Sequence, residues 1–202
     1  MSASQADFVA SNLSKLGYSS KRDIIEKLYI ASLRQSYQRI TKSISTENEI
    51  RDRFCDDLYK HPQSSIRNWL QLRIIYLDWE NWGFASDGTK TRSDFNFKFS
   101  GMQFVIECKR LSYADKAYID EGLERFVTLK YAQGDEYAGM IGFVISGDQY
   151  KISEGLQKKI KILDHTLAVI PTSPVPLFNT SHKRSDASEI ELYHMFFDFV
   201  IV

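Results

Sequence analysis

Residues 92–109 read Arg-Ser-Asp-Phe-Asn-Phe-Lys-Phe-Ser-Gly-Met-Gln-Phe-Val-Ile-Glu-Cys-Lys, and few folds accommodate such a stretch. Phe95, Phe97 and Phe99 alternate with polar residues, the period of a half-buried strand. Ser100-Gly101 is a dipeptide suited to closing a two-residue hairpin. Met102 to Ile106 then supplies the return strand. A turn of that length fixes the register: Phe99 opposite Met102, Phe97 opposite Phe104, Phe95 opposite Ile106, Asp94 opposite Glu107. Phe104, Val105, Ile106 and Cys108 are apolar on both faces, so the second strand is expected inside a covered sheet.

Two carboxylates directly opposed on neighbouring strands have Cβ atoms roughly 4.5–5.5 Å apart, and like charges there are destabilising. Asp94 and Glu107 so placed call for a cation between them or a raised pKa. Alternation puts Lys109 on the face of Glu107, diagonal to Asp94. The Cys108 side chain points the other way, leaving its backbone carbonyl as a further oxygen ligand. Few carboxylates, with waters and substrate phosphate completing the shell, suit Mg²⁺, with Mn²⁺ as a substitute. Such an ion polarises a phosphoryl oxygen and lowers the pKa of a bound water. An ammonium alongside can orient the water or stabilise the developing charge. The chemistry this constellation suits is metal-assisted phosphodiester hydrolysis.

Asp94 followed by Glu107-Cys108-Lys109 resembles the motif of the PD-(D/E)XK nuclease superfamily, with Ser93 where the naming proline stands. The resemblance covers roughly residues 45–150. It implies a three-layer, restriction-endonuclease-like α/β domain with a mixed sheet, and Asp94 and Glu107 as metal ligands with Lys109 as catalytic cation. It also implies an auxiliary acid from the helix before the first strand. Glu47 and Glu49 compete for that role. Glu47 lies three residues before Ile50 and seven before Phe54, on the core-facing stripe. Glu49 fits better as the partner in a Thr46-x-x-Glu49 capping box, so Glu47 is preferred. Tyr131 and Gln133 fall where the superfamily often has polar residues near phosphate. Gly122-Leu-Glu-Arg-Phe126 with Gly139-Met-Ile-Gly142 is similar to small nucleases of bacterial defence loci, which implies a role against phage. Arg125 itself is read as pairing with Glu121 or Glu124, with a phosphate contact as the alternative.

Elsewhere, Ser20 is a plausible cap for a helix from about 22 to 42, and a second helix runs from Ser45-Thr46 to just before His61-Pro62. Residues 66–79 read as a short helix leading into a strand near 72–79, then a polar loop over 83–93 with Asp87-Gly88. A helix is expected over Ala114 to Tyr131, a buried strand over Ala138 to Ser146, and a helix capped by Ser153 to about Leu163. A strand near 166–170 precedes breaks at Pro171, Pro174 and Pro176. His182-Lys183-Arg184 then forms a basic loop able to grip DNA, and Glu191 to Val202 a last strand in which His194 is a core histidine. The reading is one domain over 1–202, with 1–45 a helical extension.

The chain has 202 residues, 43% hydrophobic, with 26 basic and 26 acidic residues. Zero net charge gives no overall attraction for nucleic acid, so contact must come from a local patch. Two cysteines, Cys55 and Cys108, make no disulfide framework, and a reducing cytoplasm fits. The first residues lack the basic flank and apolar core of a signal peptide, and no apolar run approaches the ~20 residues of a membrane span. There is no CxxC, HExxH, Walker loop or GxGxxG. The expected partners are DNA and a controlling protein subunit or second copy. An RNase using the same site and a non-cutting interaction subunit are the rivals.

Overall fold

The computed structural model describes residues 5–43, 46–85, 88–162, 166–169 and 175–200. Asp87, Pro171, Pro174 and the last two residues of the expected C-terminal strand lie outside them. Helices α1 (Gln5–Lys15), α2 (Lys21–Ile24), α3 (Ala31–Arg39), α4 (Glu47–Lys60) and α5 (Arg67–Gln71) precede the sheet, with a π-helical turn, Ile25–Ile30, joining α2 to α3. Strands β1 (Tyr76–Phe84), β2 (Lys90–Phe99) and β3 (Met102–Leu111) follow. A second π-helical turn, Tyr118–Leu123, leads into α6 (Glu124–Val127). Next come β4 (Tyr137–Val144), α7 (Gln149–Ile162), β5 (Thr166–Val169), β6 (Leu177–Lys183) and β7 (Glu189–Asp198).

The seven strands form one sheet in the order β1-β2-β3-β4-β7-β6-β5. The β3–β4 and β4–β7 pairs are parallel and the others antiparallel, so the sheet is mixed. One core packs α1 to α5 against Phe95, Phe97, Phe104, Ile106 and Phe143. The other packs the second π turn, α6 and α7 against Val105, Met140, Val144 and Phe196. The result is the expected three-layer α/β domain with a mixed central sheet. Gly142 allows this packing: a Cβ there would lie 2.6 Å from Leu111 and 2.7 Å from Phe196.

Local chemistry sets most boundaries. The Ser20 hydroxyl accepts from the Asp23 amide, and Thr46 and Glu49 form a reciprocal capping box. Ser100 and Gly101 both have positive φ, 48° and 84°, as a type I′ turn requires. The hairpin register from Phe99–Met102 to Phe95–Ile106 is the predicted one.

Several expectations are corrected. Lys90 to Ser93 belong to β2, which pairs with β1, rather than to a loop. The helix expected over 114–131 is confined to Tyr118–Val127. Asp148, whose carboxylate accepts from the Tyr150 and Lys151 amides, caps α7, and Ser153 is buried within it. His182 lies in β6 and is buried. Arg184 is buried too and donates to the Ala132 carbonyl at 2.8 Å. Neither residue is presented to DNA as the basic loop expected at 182–184 required. His194 is the core histidine anticipated, held between Tyr118 and Thr180.

Candidate active site

At the end of the hairpin away from its turn, β2 parts from β3. The ladder stops at Phe95–Ile106. At the next level Asp94 does not continue the ladder opposite Glu107; its Oδ2 instead accepts from the Cys108 amide at 2.7 Å. The regular pair anticipated there is thus replaced by a side chain capping the neighbouring strand. Asp94 and Glu107 still line one cleft of about 410 Å³, together with Glu47, Lys109, Arg125 and Tyr131.

Both carboxylates are buried, at 7% and 2% exposed. Glu107 Oε1 accepts from Lys109 Nζ at 2.6 Å and from Arg125 Nη1 at 2.7 Å. Its Oε2 is buried and has no hydrogen-bond partner among the described residues. Burial, and then the Asp94 charge, push the Glu107 carboxyl up to about 7, with Lys109 and Arg125 opposing the shift. Burial and Asp94 also raise Glu47, whose Oε2 accepts from the Arg110 amide at 3.1 Å. Glu49 is spent on the cap of α4.

Arginines absent from the sequence-based site complete it. Arg51, on α4 and 2% exposed, donates through Nη1 to Asp94 Oδ1 at 3.0 Å and through Nη2 to Glu80 Oε1 at 2.9 Å. Glu80 falls opposite Asp94, between the pairs Trp79–Phe95 and Asn81–Ser93. Glu80, Asp94 and Glu107 therefore stand at one level across three adjacent strands. Glu80 has φ 52°, in the left-handed region, a strain on the order of 1–3 kcal/mol that clusters at functional sites. Arg125 pairs with Glu107 and not with Glu121 or Glu124 as expected. It also donates to the Tyr131 hydroxyl at 2.8 Å, which donates to the Arg92 carbonyl at 2.5 Å. Gly122, in the π turn, lies against the tip of Met140, which a Cβ there would meet at 2.5 Å, and beside the Lys109 stem, in ordinary contact at 3.7 Å. Gln133 lies off the carboxylates and donates to the Leu129 carbonyl at 2.9 Å.

A divalent ion fits this donor set with limits. In its favour are the orphaned Glu107 Oε2 and the mutual repulsion of Glu47, Asp94 and Glu107. Each Asp94 oxygen already accepts one hydrogen bond, which leaves one lone-pair site on each. No cluster of three His, Cys, Asp or Glu side chains among the described residues is close enough to hold an ion alone. Mg²⁺ typically takes one or two carboxylates and completes its shell with water and phosphate, so the Asp94–Glu107 pair suffices. No protein-family model, curated protein or solved structure matches this chain.

Proposed function

We propose that this chain is a divalent-metal-dependent endonuclease that hydrolyses DNA phosphodiester bonds, of the PD-(D/E)XK type that Asp94 and Glu107-Cys108-Lys109 resemble. The observation that carries the reading is Glu107: a buried carboxylate with one oxygen unpartnered, beside a second carboxylate, an ammonium and a guanidinium. Lys109 and Arg125 meet the charge at Oε1, but a buried Oε2 without a donor is costly unless an ion or a reaction uses it.

Asp94 and Glu107, with the Cys108 carbonyl, would hold Mg²⁺ or Mn²⁺. Bound there, the ion would polarise the phosphoryl group and lower the pKa of a water. Glu107 holds Lys109 through Oε1, so the ammonium stays at the mouth of the site to orient the attacking water. Arg125, fixed by Glu107 and Tyr131, stabilises charge on the non-bridging phosphate oxygens. Glu47, raised by burial and Asp94 and accepting from the Arg110 amide, would take a proton from the attacking water. Control comes from a partner subunit, as in a phage-defence system, because the chain carries little means of choosing a sequence.

A second reading, a non-cutting interaction subunit of the same fold, is favoured by one observation: Arg51 neutralises Asp94 as a metal would. Plasmid, single-stranded DNA and RNA incubated with Mg²⁺, Mn²⁺ or EDTA decide between them. Metal-dependent DNA cleavage that Lys109→Ala abolishes supports the nuclease. Cleavage of RNA alone redirects it to an RNase, and a lack of cutting with the neighbouring gene product present supports the subunit.

A further inference from the structure

β1 is an edge strand, and three of its aromatics are half-exposed or more: Tyr76 (51%), Trp82 (58%) and Phe84 (72%). Each lines one of three connected hollows. Trp82 lines the carboxylate cleft. Phe84 lines a polar hollow of about 280 Å³ that also contains Ser93, Asn96 and Gln103. Tyr76 lines a third beside the Ser100-Gly101 turn. The cleft and the second hollow share Thr91, Lys130 and Tyr131. The second and third share Gln103 and Gln133. The three therefore make one groove, running from the carboxylates along the hairpin to its turn.

Charge and ring chemistry coincide at the cleft end. Lys90 Nζ lies 4.1 Å and Arg92 Cζ 5.8 Å from the Trp82 ring centroid. Both line the cleft with Lys109, Arg125 and Lys130. Exposed rings interleaved with cations are the components of a single-strand site, where phosphates meet the charges and bases stack on the rings. A duplex keeps its bases stacked on one another, so it cannot use the rings. The second hollow is just below the roughly 300–1,000 Å³ of pockets for drug-sized ligands, a size for one base rather than a whole nucleotide. In its lining, Asn96 donates through Nδ2 to Gln103 Oε1 at 2.9 Å, while Asn96 Oδ1 is buried with no donor. This oxygen is closed to solvent, so a base in the hollow meets it only if the Asn96 amide turns; every nucleobase carries an N–H on its Watson–Crick edge that would then satisfy it without choosing among bases.

We propose that the groove binds single-stranded DNA, with bases stacked on Trp82 and Phe84 and one base seated beside Asn96. The proposal rests on the nuclease reading and makes its substrate a strand with unpaired bases at the scissile phosphate.

The test is fluorescence anisotropy of short labelled single-stranded DNA, the same sequence as duplex, and the same sequence as RNA, in EDTA at low salt. Single-stranded DNA binds best. Trp82→Ala and Phe84→Ala each weaken it roughly tenfold or more, the effect of losing one stacked base, and leave duplex binding unchanged. Trp82→Phe restores most of the affinity. Trp79→Ala, at a ring 49% exposed but set edge-on to Tyr59, changes nothing. Duplex or RNA bound more tightly, aromatic variants without effect, or no binding at all overturns the proposal. The cleavage assay reads separately. Cutting by a protein whose aromatic variants bind normally sinks the groove and keeps the nuclease, whereas aromatic-dependent binding with no cutting in Mg²⁺ or Mn²⁺ does the reverse.

Discussion

Glu107→Gln should make the protein more stable and inactive together, by an amount that depends on pH. The side chain keeps its shape but loses its charge. In the folded protein the Glu107 carboxyl sits at about 7, against 4.5 for the unfolded chain. Between those values the folded state binds more protons than the unfolded one, so this group's contribution to stability falls as pH rises. One pKa unit is about 1.4 kcal/mol. Integrating from pH 5 to pH 8 gives a loss of about 2–3 kcal/mol in the wild type that glutamine cannot show. For a chain of this size that widens the Tm gap between variant and wild type by roughly 5–10 °C. Any hydrogen-bond strength lost to Lys109 and Arg125 offsets both measurements and cancels in the comparison. Differential scanning fluorimetry at the two pH values measures it. Adding Ca²⁺ at pH 8 should then raise the wild-type Tm and leave Glu107→Gln unmoved. A Tm gap that stays constant from pH 5 to pH 8 would refute the placement of a strained, titrating carboxylate here. A Ca²⁺ response in the variant would refute the metal assignment.

Glu47→Gln should lower the metal-dependent cleavage rate with little change in Tm, whereas Glu49→Gln should leave the rate intact because glutamine still closes the cap with Thr46; the reverse ranking would move the auxiliary role to Glu49. Arg51→Met strips the buried Asp94 carboxylate and the partly exposed Glu80 of their shared cation and should cost about 3–5 kcal/mol in urea unfolding, almost all of it from Asp94, with an unchanged midpoint refuting the ion pair. DNA affinity of the isolated chain should fall only shallowly with salt, since of the five cations lining the cleft Lys109 and Arg125 are already paired with Glu107 and Arg92 with Glu80. The slope should steepen, and cutting accelerate, when the neighbouring gene product is added; steep binding and rapid cutting without it would remove the partner requirement.

What the sequence disclosed was what local chemistry encodes. The capping box of α4, the turn at Ser100-Gly101 and the alternation of phenylalanines depend on residues a few positions apart, and all are found as read. Because the turn fixes the register, it also brought Asp94 and Glu107 to one cleft across 13 residues. Arg51 lies 43 positions from Asp94 and Arg125 18 from Glu107. No periodicity links residues so far apart, and each arginine had nearer acids that made a surface pair the simpler expectation. β6 was missed because Asn179, Thr180, Ser181 and His182 look like a loop. Asn179 Nδ2 donates to Glu191 and the Thr180 hydroxyl pairs with His194, so part of their hydrogen bonding is met within the sheet region, while Asn179 Oδ1 is buried without a partner among the described residues. The helix over 114–131 was overdrawn because its apolar spacing persists beyond the point where the backbone leaves the helix at Thr128.

The hydrogen bond from the Cys108 amide to Asp94 ties one of the two acids to the architecture as well as to the chemistry. Lys109 has no such tie to a backbone amide among the described residues; its ammonium pairs with Glu107 and lies in the field of Glu47. The two residues would therefore decay at different speeds in a lineage relieved of the need to cut. Asp94 would persist, or drift only to asparagine, because β3 still requires an acceptor and Arg51 a neighbour. Lys109 would be replaced first. If the chain is the nuclease proposed above, the lysine would mark which of its descendants and cousins still cut, and the aspartate only which still fold.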